Sequence, residues 1–130
     1  MNGETNLAIL LKSMQPTLLA EEFVFITLQQ GKYGDAAQLN PIAMFMESEG
    51  MTLVIPKARA DQYQQAYSSV FKCITLNVHS SLDAVGLTAA FATRLTEEKI
   101  SANVIAGFYH DHIFVQAHKA QDALVALRQC

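Results

Sequence analysis

Apolar positions along the chain alternate between helical and strand spacing, and the first half is the harder to read. Leu7, Leu10, Leu11 and Met14 recur at helical intervals and predict a short helix over 5–14. Pro16 closes it, because the residue before a proline is pushed out of helical backbone space. Residues 22–28 (EFVFITL) predict a strand, and residues 29–41 (QQGKYGDAAQLNP) a long loop. Two apolar runs around Glu49-Gly50 predict a hairpin over 42–56. Tyr63, Ala66, Tyr67 and Val70 mark a helix over about 58–68.

The second half has a plainer pattern. Residues 72–79 alternate, with Ile74, Leu76 and Val78 on one face and Cys73 on the polar-alternate one. The loop SSLDAVG follows, then a Leu87, Phe91, Leu95 stripe whose helix ends in solvent at Glu97, Glu98 and Lys99. Residues 102–109 and 112–118 form a second predicted hairpin around His110-Asp111. A last helix over 120–129 turns Ala120, Ala123, Leu124 and Leu127 inward.

The second half thus reads β-α-β-β-α. The first reads α-β-loop-β-β-α. TLVIPKARAD at 52–61 aligns with IFVQAHKAQD at 113–122, each a strand and then a helix with Asp61 or Asp122 expected in its first turn, where acids suit the positive end. This is an internal duplication, with units at 1–69 and 70–130. A β-α-β-β-α unit with one crossover gives the α+β, ferredoxin-like (βαββαβ-type) sandwich. The first unit has a loop where the crossover helix belongs, and the second ends before a fourth strand. Such unfinished halves should complete each other within the chain or across a homodimer.

Composition narrows the classes of function. Hydrophobic residues make up 51% of 130 and charged ones 16%, so a packed core is expected. A net charge of −3 argues against nucleic acid as the main partner. No apolar run approaches the roughly 20 residues of a membrane span, and the two cysteines, Cys73 and Cys130, form no disulfide framework. The expectation is a cytoplasmic protein away from the membrane.

Catalytic motifs are scarce. The chain contains no GxSxG, P-loop or GxGxxG, and no enzymatic activity or cofactor is expected. His110 and His112, two apart on a hairpin, could join His79 or His118 around zinc. No third ligand stands at a diagnostic spacing, and strand-end polar residues fit as well. A small metal-binding protein or enzyme using His110, Asp111 and His112 is therefore the alternative reading. Glu47, Ser48 and Glu49 before Gly50 could line a second site, or form a solvated turn.

The strand CITLNV, the loop SSLDAVGLTAAFATRL and the segment KISANVIAGFYHDHIFV together resemble an ACT domain. A glycine opening the first helix, an "ISA" entry to the second strand and an Asp in the next hairpin carry the likeness. Tandem ACT sensors of this kind include the regulatory ends of aspartate kinases and the cytosolic arginine sensor of animals. The first half, with FMESEGMTLVIP, is similar to the partner domain in small bacterial proteins of unassigned function. The resemblance implies a regulatory, non-enzymatic module that binds an amino acid or similar metabolite through ACT–ACT interfaces. It implies a ligand wrapped by the loop at Asp83, Ala84, Val85, Gly86 and Leu87. It also implies a contribution from Asp111, which matches the hairpin aspartate of arginine-sensing relatives. Those relatives carry a second carboxylate two residues before the glycine; here that residue is Ala84, and the nearest acid is Asp83.

A helix N-terminus offers free N–H donors and a positive dipole to a carboxylate. Gly86 lets backbone approach a ligand, and Asp111 could accept from an ammonium. The plain alternatives are Asp83 as a helix cap, Gly86 as a turn residue and Asp111 as an ordinary hairpin residue.

Overall fold

The computed structural model describes residues 3–130. The chain divides into two compact units, one made of residues 1–20 and 72–130, the other of residues 21–71. The long strand β1 (Pro16–Leu28) runs from the first unit into the second, opening six residues earlier than its β-rich core suggests. A proline is tolerated at the first residue of a strand, where no ladder hydrogen bond is lost.

In the first unit, helix α1 (Leu7–Lys12) is capped by Asn6, whose Oδ1 accepts from the Ile9 N–H at 3.2 Å. It ends at Ser13 rather than at the proline, and only Leu10 within it is buried. After the start of β1 come β4 (Phe71–Leu76), α3 (Leu87–Glu97), β5 (Asn103–Ala106), β6 (Asp111–Gln116) and α4 (Ala120–Arg128). Strand order is β1-β4-β6-β5. This is the order of a ferredoxin-like sandwich in which the start of β1 fills the fourth-strand place. The N-terminal segment thus supplies the strand that residues 70–130 lack. The predicted stripe holds: Leu87, Phe91 and Leu95 are buried, and with Ile74, Leu76, Ile113, Val115, Ala123 and Leu127 they form the core. Cys73, expected on the polar face, is fully buried, and burial pushes its thiol up to about 11. Both faces of this central strand are covered, so alternation in the sequence does not mark an exposed side.

In the second unit, β2 (Ala43–Glu47) and β3 (Gly50–Pro56) form the predicted hairpin, closing on Glu47 opposite Gly50 with Ser48-Glu49 as its turn. The end of β1 pairs antiparallel with β3, from Phe23 opposite Pro56 to Leu28 opposite Met51. Strand order here is β2-β3-β1. Val24, Ile26, Leu39, Met51, Leu53, Ile55 and Ala60 form the core. Helix α2 (Lys57–Gln62) stops well short of residue 68. Gln64 has a left-handed φ of 56°, and the predicted stripe beyond it is not helical. Asp61 lies in the last turn, not the first, where it accepts from Lys57 at 2.9 Å and from the Tyr67 hydroxyl at 2.8 Å. Asp122 does lie in the first turn of α4. The two halves therefore share a hairpin followed by a helix, but not the helix's charge pattern.

Candidate functional site

The predicted loop connects β4 to α3. Its first part is held by the N-terminal segment: the Glu4 N–H donates to the His79 carbonyl and the Ser81 N–H to the Glu4 carbonyl, each at 2.9 Å. Gly3 packs so closely that a Cβ there would lie 2.6 Å from the Ser80 carbonyl carbon. This contact was invisible to sequence reading, because nothing in the apolar pattern at residues 3–4 marks it. Its only trace is the glycine itself.

Asp83 is not the cap of α3. The N-cap is Gly86, at φ 101°, and no side chain satisfies the helix end. The Asp83 N–H instead bonds Ser81 Oγ at 3.1 Å and the Ala84 N–H bonds the Ser81 carbonyl at 3.0 Å, so Ser81 organises this turn. Val85 is 82% exposed, whereas Leu87 is buried in the core and offers only its backbone outward. The left-handed conformation explains why glycine stands at 86: an L side chain there is strained, and a Cβ would meet Leu7 Cδ2 at 3.0 Å. With no capping side chain, the first-turn N–H groups of α3 remain donors at a positive dipole end.

Asp111 is the first residue of β6, opposite Ala106, rather than a turn residue. The turn proper is 107–110, closed by the Gly107 N–H on the His110 carbonyl at 2.9 Å. By strand alternation Asp111 shares a face with Ile113 and Val115, both in the core that Leu87 joins. It is 9% exposed, its carboxylate makes no hydrogen bond among the described residues, and burial pushes its pKa up against the opposing pull of His112 and His110. Contacts between Thr75 Oγ1 and His112 Nδ1 (2.9 Å) and between the Val78 carbonyl and His110 Nδ1 (3.4 Å) set the end of β4 against the start of β6. The loop and the hairpin turn therefore lie at the same end of this unit. His79 also lies against Tyr109, with ring centroids 5.3 Å apart and the planes tilted by 46°; the Tyr109 ring meets Phe108 edge-on at 5.1 Å, and both aromatics are exposed.

The four histidines do not assemble. Among the described residues, no group of three or more His, Cys, Asp or Glu side chains is arranged to hold a metal ion. His112 is committed to Thr75, and burial lowers its pKa, which favours the neutral ring. Glu47 ends β2 and Glu49 lies in the turn after it; both are exposed, and they accept from the Thr52 and Ser48 hydroxyls.

The first unit is a ferredoxin-like sandwich whose crossover helix has no side-chain cap. Comparisons with known proteins identify the family. ACT-domain family models match residues 2–72 and 68–129. The chain belongs to the ACT-domain family, whose members are regulatory small-ligand-binding modules, and carries two such domains in tandem. It is similar to a Vibrio cholerae protein of unknown function described as a possible transport protein, with 56% identity over 92% of this chain and 91% of that one and a TM-score of 0.84. An Agrobacterium tumefaciens protein is 14% identical over 88% of this chain and 86% of its own, with a TM-score of 0.72. The regulatory subunit of aspartate kinase from Thermus thermophilus, in ligand-free form, is 12% identical over 88% and 95% of the two chains, with a TM-score of 0.60. At such identity the last two show the fold alone. No curated protein matches the chain. No helix among the described residues is long and apolar enough to cross a membrane.

Proposed function

We propose that this chain is a non-catalytic, cytoplasmic regulatory module that binds a free amino acid at Asp83, Ala84, Val85, Gly86, Leu87 and Asp111, and that it works as a homodimer through ACT–ACT contacts. The ligand carboxylate takes the open N–H groups at the start of α3, and Asp111 accepts from the ammonium or from a basic side chain. The observation that carries this reading is Asp111: the residue is 9% exposed, and its carboxylate makes no hydrogen bond among the described residues while still reaching solvent, which leaves it open to a cationic partner. The domain units proposed are 1–69 and 70–130, following the repeat in the sequence. Support for the dimer comes from β2, the outer strand of its unit, which exposes Met44, Phe45 and Met46. An apolar edge strand is a template for pairing with a second chain.

Thermal shift and calorimetry test the ligand. An amino acid at a hundredfold excess over its Kd should add about 2.7 kcal/mol of stability. Asp111→Asn should weaken a cationic ligand at least tenfold, about 1.4 kcal/mol, while the fold survives. No shift with any amino acid at millimolar concentration, together with a shift on adding zinc, would reject this reading in favour of a metal-binding protein. Light scattering at tens of micromolar, roughly the range of ordinary interface affinities, should report a dimer, and Phe45→Lys a monomer.

A further inference from the structure

A different depression in the first unit carries a charge pattern that neither the ligand loop nor the packing explains. It has a volume of about 410 Å³ and lies between the α1–β1 turn, the end of β4 and the end of α4. Lys12, Gln15, Thr17, Asn77, Leu127 and Arg128 are among its lining residues. None of Asp83, Ala84, Val85, Gly86, Leu87 or Asp111 lines it, and neither does any acidic side chain. The volume falls within the range of small-metabolite pockets.

Its two cations share one concavity without an acidic partner. The chain has nine lysines and arginines against twelve acids. Lys57 and Arg94 form ion pairs, and Arg59, Lys72 and Lys119 donate to backbone carbonyls. The side chains of Lys12, Lys32, Lys99 and Arg128 make no ion pair or hydrogen bond among the described residues, and of these four Lys12 and Arg128 line this acid-free depression together. In a chain of net charge −3, two uncompensated cations on one concavity concentrate positive potential there.

The turn beneath them is held rigidly. The Asn77 N–H donates to the Met14 carbonyl at 3.0 Å, and Asn77 Nδ2 donates to the Gln15 carbonyl at 2.8 Å and to Thr17 Oγ1. The Thr17 hydroxyl proton is thereby left to point elsewhere. Gln15 sits at φ 43°, a left-handed conformation that a non-glycine residue holds only when its surroundings fix it. A braced turn, a hydroxyl donor and two cations converge on one polar hollow.

We propose that this depression binds a small dianionic metabolite, a phosphate monoester or a dicarboxylate, clamped by Lys12 and Arg128 with Thr17 as a neutral donor. Arg128 supplies a planar fork that matches either anion, and Lys12 a point charge. This proposal is independent of the amino-acid site, since the two share no residue.

Inorganic phosphate and succinate, titrated separately into the full chain and followed by amide chemical shifts, test it. Acetate and chloride at matched ionic strength serve as monoanion controls. At least one dianion should bind saturably, with shifts centred on Thr17, Asn77 and Arg128. Saturation by phosphate alone identifies a phosphate ester, and by succinate alone a dicarboxylate. Lys12→Gln and Arg128→Gln should each weaken binding by tenfold or more while retaining their apolar stems and the wild-type spectrum elsewhere. Both residues also suit the negative ends of their helices, so a role confined to the helix dipole would lower the melting temperature without any anion dependence. That result, monoanions binding as well as dianions, or unchanged affinity in both variants would overturn the proposal.

Discussion

The two units share a hairpin followed by a helix and differ in how the chain crosses over before it. In the first unit the crossover is α3, eleven residues long, with its N-terminus left open by Gly86. In the second, residues 29–42 make the same journey with only a short 3-10 turn at Ala37–Leu39, flanked by Ala36 and Asn40 in left-handed conformations. That crossover drops Leu39 into the core, but it brings no helix of several turns and hence no substantial dipole. Duplicating the hairpin therefore does not duplicate the proposed site, because the anion-facing donors belong to the crossover helix. The proposed amino-acid site should therefore bind one ligand per chain, which calorimetric stoichiometry would check.

The comparison is broken most forcefully through the cores. Phe91 of α3 is fully buried, and Phe91→Ala should cost about 3–5 kcal/mol by urea denaturation, with exchange protection lost first in β4, β5 and β6. Leu39→Ala, in the loop crossover, should fall at the low end of the roughly 2–5 kcal/mol range for such truncations, because a loop can settle into the space. Equal costs would mean that the loop is packed as tightly as the helix, and the contrast between the units would fail.

A smaller effect separates two glycines with the same backbone sign. Gly86 (φ 101°) and Gly34 (φ 92°) are both left-handed, but a Cβ at Gly86 meets Leu7 while one at Gly34 meets nothing within 4 Å. Gly86→Val should cost about 1–3 kcal/mol from backbone strain, with crowding against Leu7 added. Gly34→Val bears the strain alone and should melt higher. The sequence by itself suggests that Gly86→Val spares the fold, which holds only for an ordinary helical or extended backbone. The observed φ reverses that expectation, so loss of ligand binding in this variant cannot be separated from lost stability. Asp111→Asn is the cleaner probe.

What could be read from sequence follows from how locally each feature is determined. The 87–91–95 stripe, the Glu47–Gly50 turn and the last helix are set by neighbours a few residues apart, and they were legible. The fourth strand of the first unit was not, because the start of β1 and β4 lie more than fifty residues apart in the chain. Lys12 and Arg128 belong to opposite ends of the chain, and no spacing rule joins them. Asp83 looked like a cap because aspartate favours that position, but Ser81 turns the chain earlier and the helix begins three residues later. Tyr63, Ala66 and Tyr67 mimicked a helical stripe, yet Tyr67 folds back to bond Asp61.

The smallest expected effect sets one aspartate of each unit against the other, and the two should differ in sign. Burial raises the Asp111 pKa above its ordinary 3.8, so the folded chain holds that proton more tightly than the unfolded chain does. Its contribution to stability is therefore most favourable below 3.8 and is lost as pH rises through the folded value. Asp61 is the reverse: hydrogen bonds from Lys57 and Tyr67 lower its pKa, so its contribution is present above 3.8 and is lost as pH falls through the folded value. Melting temperatures of wild type, Asp111→Asn and Asp61→Asn from about pH 3 to about pH 7, a window spanning ordinary carboxylate titration, separate the two. At the neutral end of the window Asp111→Asn should melt above wild type and Asp61→Asn below it, and both differences should shrink toward the acid end. A cationic amino acid bound at Asp111 changes the first comparison only, since the ligand then satisfies the charge that burial penalises. In its presence wild type should overtake Asp111→Asn at neutral pH, while the Asp61 difference stays fixed. If Asp111→Asn instead melts below wild type without ligand across the whole range, the Asp111 carboxylate is already satisfied in the folded chain, and it has no unmet need for a cation.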